Sequence, residues 1–348
     1  MPVTHPLKLV AIGGGTGLAT LLVGLKDYLN AEPLVRQASA EPATTARVST
    51  IAIDPPPRLA SLTAIVTVTD DGKSSGRLRA EFGVLPPGDI RNCLVALADK
   101  SQLMTRIFGY RFPGDGAVGG HSLGNLILLA LQQMGNDFLA AINYARALLG
   151  IEARVLPSTL DHVDLLAQVG GQPVRGQTAI KSRGLPIRNL ALDPPNARAL
   201  PEAIAAILEA DIITLGPGSL FTSIIPNLLV TGIAQAIAQS SAKKIYICNA
   251  MTEVDETDGY SAEDHVRQLL KYLRHQSLDY ALFNSTPISA DMRLRYAAEK
   301  ATALDPPTAT FLNGTHIKLI SLPLASEARF VRHDPERLSR AIFETYNC

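Results

Sequence analysis

The stretch Leu7 to Leu29, LKLVAIGGGTGLATLLVGLKDYL, decides the reading of the fold. LKLVAI (7–12) is an apolar run of strand length, and the segment from Leu18 onward has the length and character of a buried helix. Between them, Gly13-Gly14-Gly15-Thr16-Gly17 makes a turn. Glycines there let the backbone come close to a ligand, and the unpaired N–H groups of the helix start favour an anion. The turn is not a dinucleotide fingerprint. Read from Gly13, the last glycine of Gly-x-Gly-x-x-Gly falls on Leu18, and read from Gly15 it falls on Thr20. It reads as a phosphate- or nucleotide-binding turn, or as a tight turn that lets the helix pack.

Working outward, LTAIVTVT (62–69), DIITLG (211–216), KKIYICN (243–249) and LDYALFN (278–284) read as further strands. They alternate with helices over 89–99, 121–135 and 219–240, the last predicted to kink near Pro226. This alternation predicts a Rossmann-like α/β fold, with a mostly parallel sheet covered on both faces. The chain 1–348 reads as a single domain. Within it, 30–60 is rich in Ala, Pro, Thr and Ser and reads as a flexible insertion. Residues 151–195 hold Gly170-Gly171 between two alternating runs and read as a small antiparallel subdomain.

Two more glycine-rich helix starts occur. LGPGSLFTS (215–223) places Gly216, Gly218 and the N-cap candidate Ser219 after a strand, and GGHSLGN (119–125) opens a helix at His121 and Ser122, with Asn125 inside. His121 is open between ligand contact and capping. Three such starts favour a ligand with more than one phosphate, because sheet topology gathers these ends along one edge.

IVTVTDDGKSSGRLRAEFGVLPPGDIRN (65–92) resembles the end of a P-loop at Gly72-Lys73-Ser74, but the first glycine of Gly-x4-Gly-Lys-Ser would fall on Thr67. The adjacent carboxylates Asp70 and Asp71 suit Mg²⁺, which takes one or two carboxylates plus phosphate and water. They equally suit sugar hydroxyls or the capping of the following turn. Ser74, Ser75, Arg77, Arg79, Arg91 and Asn92 complete a polar, cationic set fitted to phosphate. Asp89, in PPGDIRN, reads as the N-cap of the next helix.

Composition narrows the partners. Lys+Arg and Asp+Glu both number 32, so no basic field exists for a nucleic acid or an anionic membrane. The apolar run LILLAL (126–131) is far shorter than the ~20 residues of a membrane span. The start MPVTHPLKLVAIGGG carries no signal-peptide pattern. Cys93, Cys248 and Cys348 have no metal-ligand spacing and read as reduced and structural.

Taken in order, VAIGGGTGLATLLVGLK, LTAIVTVTDDGKSSGRLR, LPPGDIRNCLVALA, GGHSLGNLILLAL, LPSTLDHVDL, ITLGPGSLFTSIIPNLLVTGIAQAI, CNAMTEVDETDGYSAEDHV and RYAAE resemble the YvcK branch of the YvcK/CofD-like family, the gluconeogenesis-factor branch. The resemblance covers about residues 8 to 335 outside the 30–60 insertion. It implies a cytoplasmic bacterial protein that binds UDP-sugars such as UDP-N-acetylglucosamine. It further implies a link to gluconeogenic carbon metabolism and to cell-shape or cell-wall control, with protein partners there; a homo-oligomer stays open. The related CofD branch transfers a phospholactyl-type group from a nucleotide diphosphate donor to a deazaflavin, with Mg²⁺. The family's ligand region falls on Gly14 to Gly17, Asp70 to Arg79, Gly119 to Asn125 and Gly216 to Ser219. Among the later blocks, Tyr260 is a candidate to stack on a base and Arg295 to clamp a diphosphate. Two positions depart from the pattern: Lys73 replaces a glycine of the loop, and Gln177 replaces a carboxylate.

Two readings follow. A UDP-sugar-binding regulator needs no turnover. A transferase would use the same cradle, with Asp70 or Asp71 holding Mg²⁺. No activated nucleophile can be named from the sequence, which leans toward the regulator.

Overall fold

A computed structural model describes residues 5–29, 58–135, 137–308, 311 and 315–348. The expected insertion at 30–60 lies outside the described residues, except that its last residues lead into the second strand. Seven parallel strands form the main sheet: β1 (Leu7–Gly13), β2 (Leu59–Val66), β3 (Arg154–Pro157), then, after a separate three-stranded antiparallel sheet of β4 (Asp164–Val169), β5 (Gln172–Arg175) and β6 (Ile187–Asp193), β7 (Ile212–Leu215), β8 (Lys243–Ile247), β9 (Tyr280–Asn284) and β10 (Lys318–Leu322). The order across the sheet is β10-β9-β8-β7-β1-β2-β3. A final antiparallel pair joins β11 (Ala325–Glu327) to β12 (Val331–His333).

The central strands are apolar almost without interruption because helices cover both faces of a parallel sheet. Helix α1 (Gly15–Leu25) packs with α3 (Gly88–Leu97) and with Pro335–Tyr346, while α2 (Lys73–Phe82) follows the Asp70-Asp71 turn. The expected hairpin forms: Gly170 and Gly171 both take positive φ, 58° and 83°, as a two-residue turn between β4 and β5 requires.

Two expectations need correction. The predicted helix over 219–240 is three pieces: a π-turn at Leu220–Ile224, a helix Ile225–Leu229 with Pro226 in its first turn, and a helix Ile233–Gln239. Pro226 therefore starts a piece, where its missing N–H costs nothing, and the break falls at Val230 to Gly232, with Gly232 at φ 105°. Asp89 is not an N-cap. Helix α3 begins at Gly88, and Asp89 is its second residue, turned toward the glycine turn of β1.

The order is what positions the site. The chain passes from β1 outward to β2 and β3, then returns to β7 on the other side of β1. The carboxyl ends of β1 and β7 thus flank the point where the sheet order reverses, the place where open α/β sheets bind ligands.

Candidate functional site

The turns after β1 and β7 touch. A Cβ at Gly17 would lie 2.5 Å from the Pro217 carbonyl oxygen and 2.7 Å from Gly218 Cα, so only glycine lets the two turns meet. Asn227 Nδ2, deeply buried, donates to the Gly13 carbonyl at 3.0 Å and ties the later helix to the first turn. Around this junction lie two adjoining cavities of about 320 and 470 Å³, which share Gly15, Thr16, Ser219 and Ser223. The smaller is closed by Asn249, Glu253, Tyr296, Arg332 and His333. The larger is lined by Asp70, Lys73, Asp89, Arg91, Asn92 and Arg111, among others.

The three glycine-rich helix starts are not equivalent. Amides of the first turn have no intrahelical acceptor. In α1, Gly14 is extended and offers no side chain to cap it; Gly15 gives its N–H to Asp89, and Thr16 and Gly17 border the smaller cavity. After β7 the start is already filled: Glu256, buried, accepts from the amides of Phe221 and Thr222 at 2.8 and 3.3 Å and from the Thr222 hydroxyl at 3.0 Å. Ser219 holds the N-cap position without capping and donates instead to Glu253 Oε2. Lys181 balances this pair, 3.0 Å from Glu256 and 3.5 Å from Glu253. Burial opposes the ammonium, yet the two carboxylates hold its pKa above the usual lysine value. Burial and the charge of Glu256 together push Glu253 up. At the third start, Ser122 Oγ accepts from the Asn125 amide and caps the helix Leu123–Gly135.

His121 does not cap. Its Nδ1 is 2.9 Å from Ser74 Oγ, while Asn125 Nδ2 donates to that same oxygen at 3.0 Å and Arg91 Nε donates to Asn125 Oδ1 at 3.2 Å. Ser74 Oγ has two lone pairs besides its proton, so the direction of its bond to the neutral His121 ring follows the histidine tautomer. Burial, and then the Arg77 charge, lower the His121 pKa, in keeping with a neutral ring. The chain Arg91, Asn125, Ser74, His121 locks the Arg91 side chain in place. Burial and the neighbouring Arg111 lower the Arg91 pKa, a sign of cations crowded together. Among the described residues, none of Lys73, Arg91 and Arg111 is in an ion pair, although all three line the larger cavity. Lys73 and Arg111 are exposed and Arg91 is buried, so a phosphate in this cavity would meet three cations, with Asp70 and Asp89 beside them.

The two carboxylates of the opening loop part company. Asp70 faces the larger cavity and accepts from the Gly72 amide at 3.0 Å. Asp71 points to the antiparallel subdomain, accepting from Thr178 N at 2.8 Å and Thr178 Oγ1 at 2.6 Å. The carboxylate that joins Asp70 is Asp89, whose pKa burial and then the Asp70 charge raise to about 7. Asp70 and Asp89 are the two carboxylates that would hold a divalent cation beside a ligand phosphate. No cluster of three or more His, Cys, Asp or Glu residues suited to a metal occurs among the described residues. Ser75, buried against Gly88, lines the larger cavity, whereas Arg77 donates to the Gly119 carbonyl and lines neither cavity. Arg79 is spent on Val163 and Asp164. Lys73 takes φ 44°, a left-handed conformation that a glycine would hold without strain. Gln177, at the start of the helix Gln177–Lys181, lines the larger cavity with its buried Oε1 unpaired.

Tyr260 and Arg295 are not brought to the cleft. Tyr260 packs edge-on against Phe221 and His265 and borders a separate cavity with Arg188 and Tyr272. Arg295 is exposed and stacks 5.5 Å from the centre of Phe330, a ring it shares with Arg329 and Arg332. Sequence reasoning missed Asn249, Glu253, Glu256 and Lys181. CNAMTEVDE follows a strand, and its polar residues carried the only local signal.

The description of the family model that matches residues 9–324 is 2-phospho-L-lactate transferase CofD. This chain belongs to the YvcK/CofD-like family. Members of the family at near full length include a protein from Thermotoga maritima, 42% identical over 97% of this chain and 98% of that one, named a putative gluconeogenesis factor. A Nostoc protein of the same name is 43% identical over 97% of this chain and 68% of its own length. A family structure from Bacillus halodurans superposes with a TM-score of 0.85 at 37% identity, covering 97% of this chain and 99% of that one. Within the family fold, the cleft between the β1 and β7 turns is the site built above. No helix among the described residues is long and apolar enough to cross a membrane.

Proposed function

We propose that this protein binds a nucleotide diphosphate sugar across the two adjoining cavities, with UDP-N-acetylglucosamine the first candidate. On this reading it acts as a cytoplasmic regulator of gluconeogenic carbon metabolism and cell shape that does not consume its ligand. The observation that carries the reading is the set Lys73, Arg91 and Arg111, none of them in an ion pair among the described residues, in the cavity beside the α1 start. A diphosphate at Gly15, Thr16, Ser219 and Ser223 would leave one cavity for a base and the other for a sugar. The name gluconeogenesis factor, borne by relatives at 37 to 43% identity, supports the metabolic role.

Regulation without turnover is supported by the state of the candidate nucleophiles. Burial, and then Asp89, hold the Cys93 thiol well above its usual value, and Ser74 is committed to His121 and Asn125. Tyr260 and Arg295 lie off the cleft and would act on it indirectly, Tyr260 through Phe221 in the turn after Ser219 and Arg295 through the Phe330 ring that it shares with the cavity residue Arg332. Tyr260→Ala and Arg295→Ala are each expected to weaken binding without unfolding the chain.

One observation favours a transferase reading, the Asp70 and Asp89 pair. Asp70 and Asp89 would hold Mg²⁺ there, the cation would neutralise phosphate charge, and Arg91 would orient the donor. Calorimetry with UDP-N-acetylglucosamine, UDP-glucose and GTP, each with and without Mg²⁺, followed by phosphorus NMR of the mixtures over hours with and without a deazaflavin acceptor, separates the two. Tight UDP-sugar binding with the ligand intact supports the regulator. Ligand consumed only when Mg²⁺ and a deazaflavin are present overturns it.

A further inference from the structure

A third cavity, of about 640 Å³, lies apart from the cleft, between the antiparallel subdomain and the helix Ala262–Leu270. Strand β6 forms one wall and carries a bulge there. Between the pairs Leu166 to Ala191 and Gln168 to Arg188, β4 has one residue and β6 has two, Asn189 and Leu190. Asn189 takes φ 49°, and the Leu190 amide donates to the Tyr272 hydroxyl at 3.2 Å, across the gap between the two walls. Bulges re-aim the side chains beside them, and here Arg188 and Asn189 line the cavity.

Apart from Pro186, Ile187 and Gly259, every residue of the lining has a side chain that makes hydrogen bonds. Several of those groups are open to a ligand. Arg188 is exposed, and among the described residues its guanidinium has neither an ion pair nor a hydrogen bond. Lys271, also exposed, donates to Gln268 Oε1 at 2.7 Å and meets no carboxylate. Asp264 spends Oδ2 on the amide and hydroxyl of Ser261, at 2.9 and 2.6 Å, and keeps Oδ1 free, while Asp258 is exposed without a donor. The Tyr260 and Tyr272 rings pack on the core, and burial raises both phenols above their usual value, so each keeps a proton to give. Cations for a phosphate, carboxylates and phenols for hydroxyls, and two rings for the flat face of a sugar are thus gathered in one place.

We propose that this cavity is a second ligand site, which takes a phosphorylated sugar, with Arg188 and Lys271 as its cations and Asp258 and Asp264 as acceptors of sugar hydroxyls. The site stands whatever ligand the cleft takes. One loop serves both: it gives Asn249 and Glu253 to the smaller cavity, Glu256 to the amides of Phe221 and Thr222, and Asp258 and Tyr260 to the third cavity. Tyr260 also packs edge-on against Phe221. A sugar phosphate that orders Asp258 and Tyr260 therefore acts on the turn after β7, and the two ligands change each other's affinity by the same factor.

Calorimetric titration of the full chain with glucose 6-phosphate, fructose 6-phosphate and glucose 1-phosphate, beside glucose and inorganic phosphate, tests the site. At least one sugar phosphate is expected to bind about tenfold more tightly than glucose or phosphate. Arg188→Ala and Lys271→Ala are each expected to weaken it by about tenfold to a hundredfold, the worth of a charge-assisted hydrogen bond. Without sugar phosphate, both variants are expected to bind UDP-N-acetylglucosamine as the wild type does. Rising UDP-N-acetylglucosamine is expected to move the sugar-phosphate affinity to a plateau. Absence of binding by all three sugar phosphates, unchanged affinity in either variant, or competition that grows without limit as UDP-N-acetylglucosamine rises overturns the proposal. Inorganic phosphate bound as tightly as the sugar phosphates overturns it too, and an affinity that the nucleotide sugar leaves unmoved overturns the coupling. Failure of UDP-N-acetylglucosamine to bind the wild-type protein defeats the reading of the cleft instead, and the two variants still decide the third cavity.

Discussion

Lys73 and Asp89 carry the local strain of the site. A non-glycine residue at φ 44° costs about 1 kcal/mol or a little more against glycine, so Lys73→Gly is expected to raise stability by about 1 kcal/mol in urea unfolding. The same change removes a cation from the larger cavity and is expected to weaken nucleotide binding, which calorimetry reads independently. Asp89 has its carboxyl raised from 3.8 to about 7 by burial and by Asp70. A raised acid favours the protonated fold, so its contribution is fully present below about pH 4 and is lost as pH rises through about 7. The loss is on the order of 4 kcal/mol. Asp89→Asn keeps an acceptor for the Gly15 amide, and its melting temperature is expected to exceed wild type at pH 8 and to match it near pH 4. Equal pH profiles for the two proteins would refute this account of Asp89.

At the scale of elements, the sequence located the helix starts better than it located their partners. Ser219 stands at the N-cap position as its residue type predicts, yet the amides it might have served go to Glu256, 35 positions from Phe221. A capping serine is a local signal, whereas a carboxylate arriving from another loop is not. Glu256→Ala would leave two amides, a hydroxyl and the Lys181 ammonium short of an acceptor. A loss of about 3 kcal/mol is expected in denaturant unfolding, with Glu256→Gln losing less. Gly17→Ala pushes the two turns apart, because its Cβ meets the Pro217 carbonyl at 2.5 Å. Weaker ligand binding is expected, with a stability loss of about 1–3 kcal/mol.

For the whole molecule, the antiparallel subdomain belongs to the cleft through one carboxylate. Asp71 holds the amide and hydroxyl of Thr178, and the short helix that begins there delivers Gln177 and Lys181 to the site. Asp71→Ala is expected to raise amide hydrogen exchange across 176–182 and to weaken nucleotide binding, while exchange in β1 and β7 stays unchanged. Equal exchange in the variant would show that the subdomain is held by other contacts.

The sequence by itself determined the parallel α/β architecture, the hairpin at Gly170-Gly171 and the glycine turns after two strands. These rest on short-range rules: strand and helix periods, and the freedom of glycine where φ is positive. Tertiary structure alone decided which groups meet. It sent Asp71 to Thr178 and put Asp89 beside Asp70, because Asp70-Asp71 lies beyond the end of β2 in a turn and α3 starts before Asp89. It filled the β7 helix start with Glu256 and left Tyr260 and Arg295 off the cleft. It also set His333 against the smaller cavity, although a lone histidine near the end of the chain carries no pattern. The cause is the sheet order: β1 lies beside β7, and no local rule connects residues some two hundred positions apart.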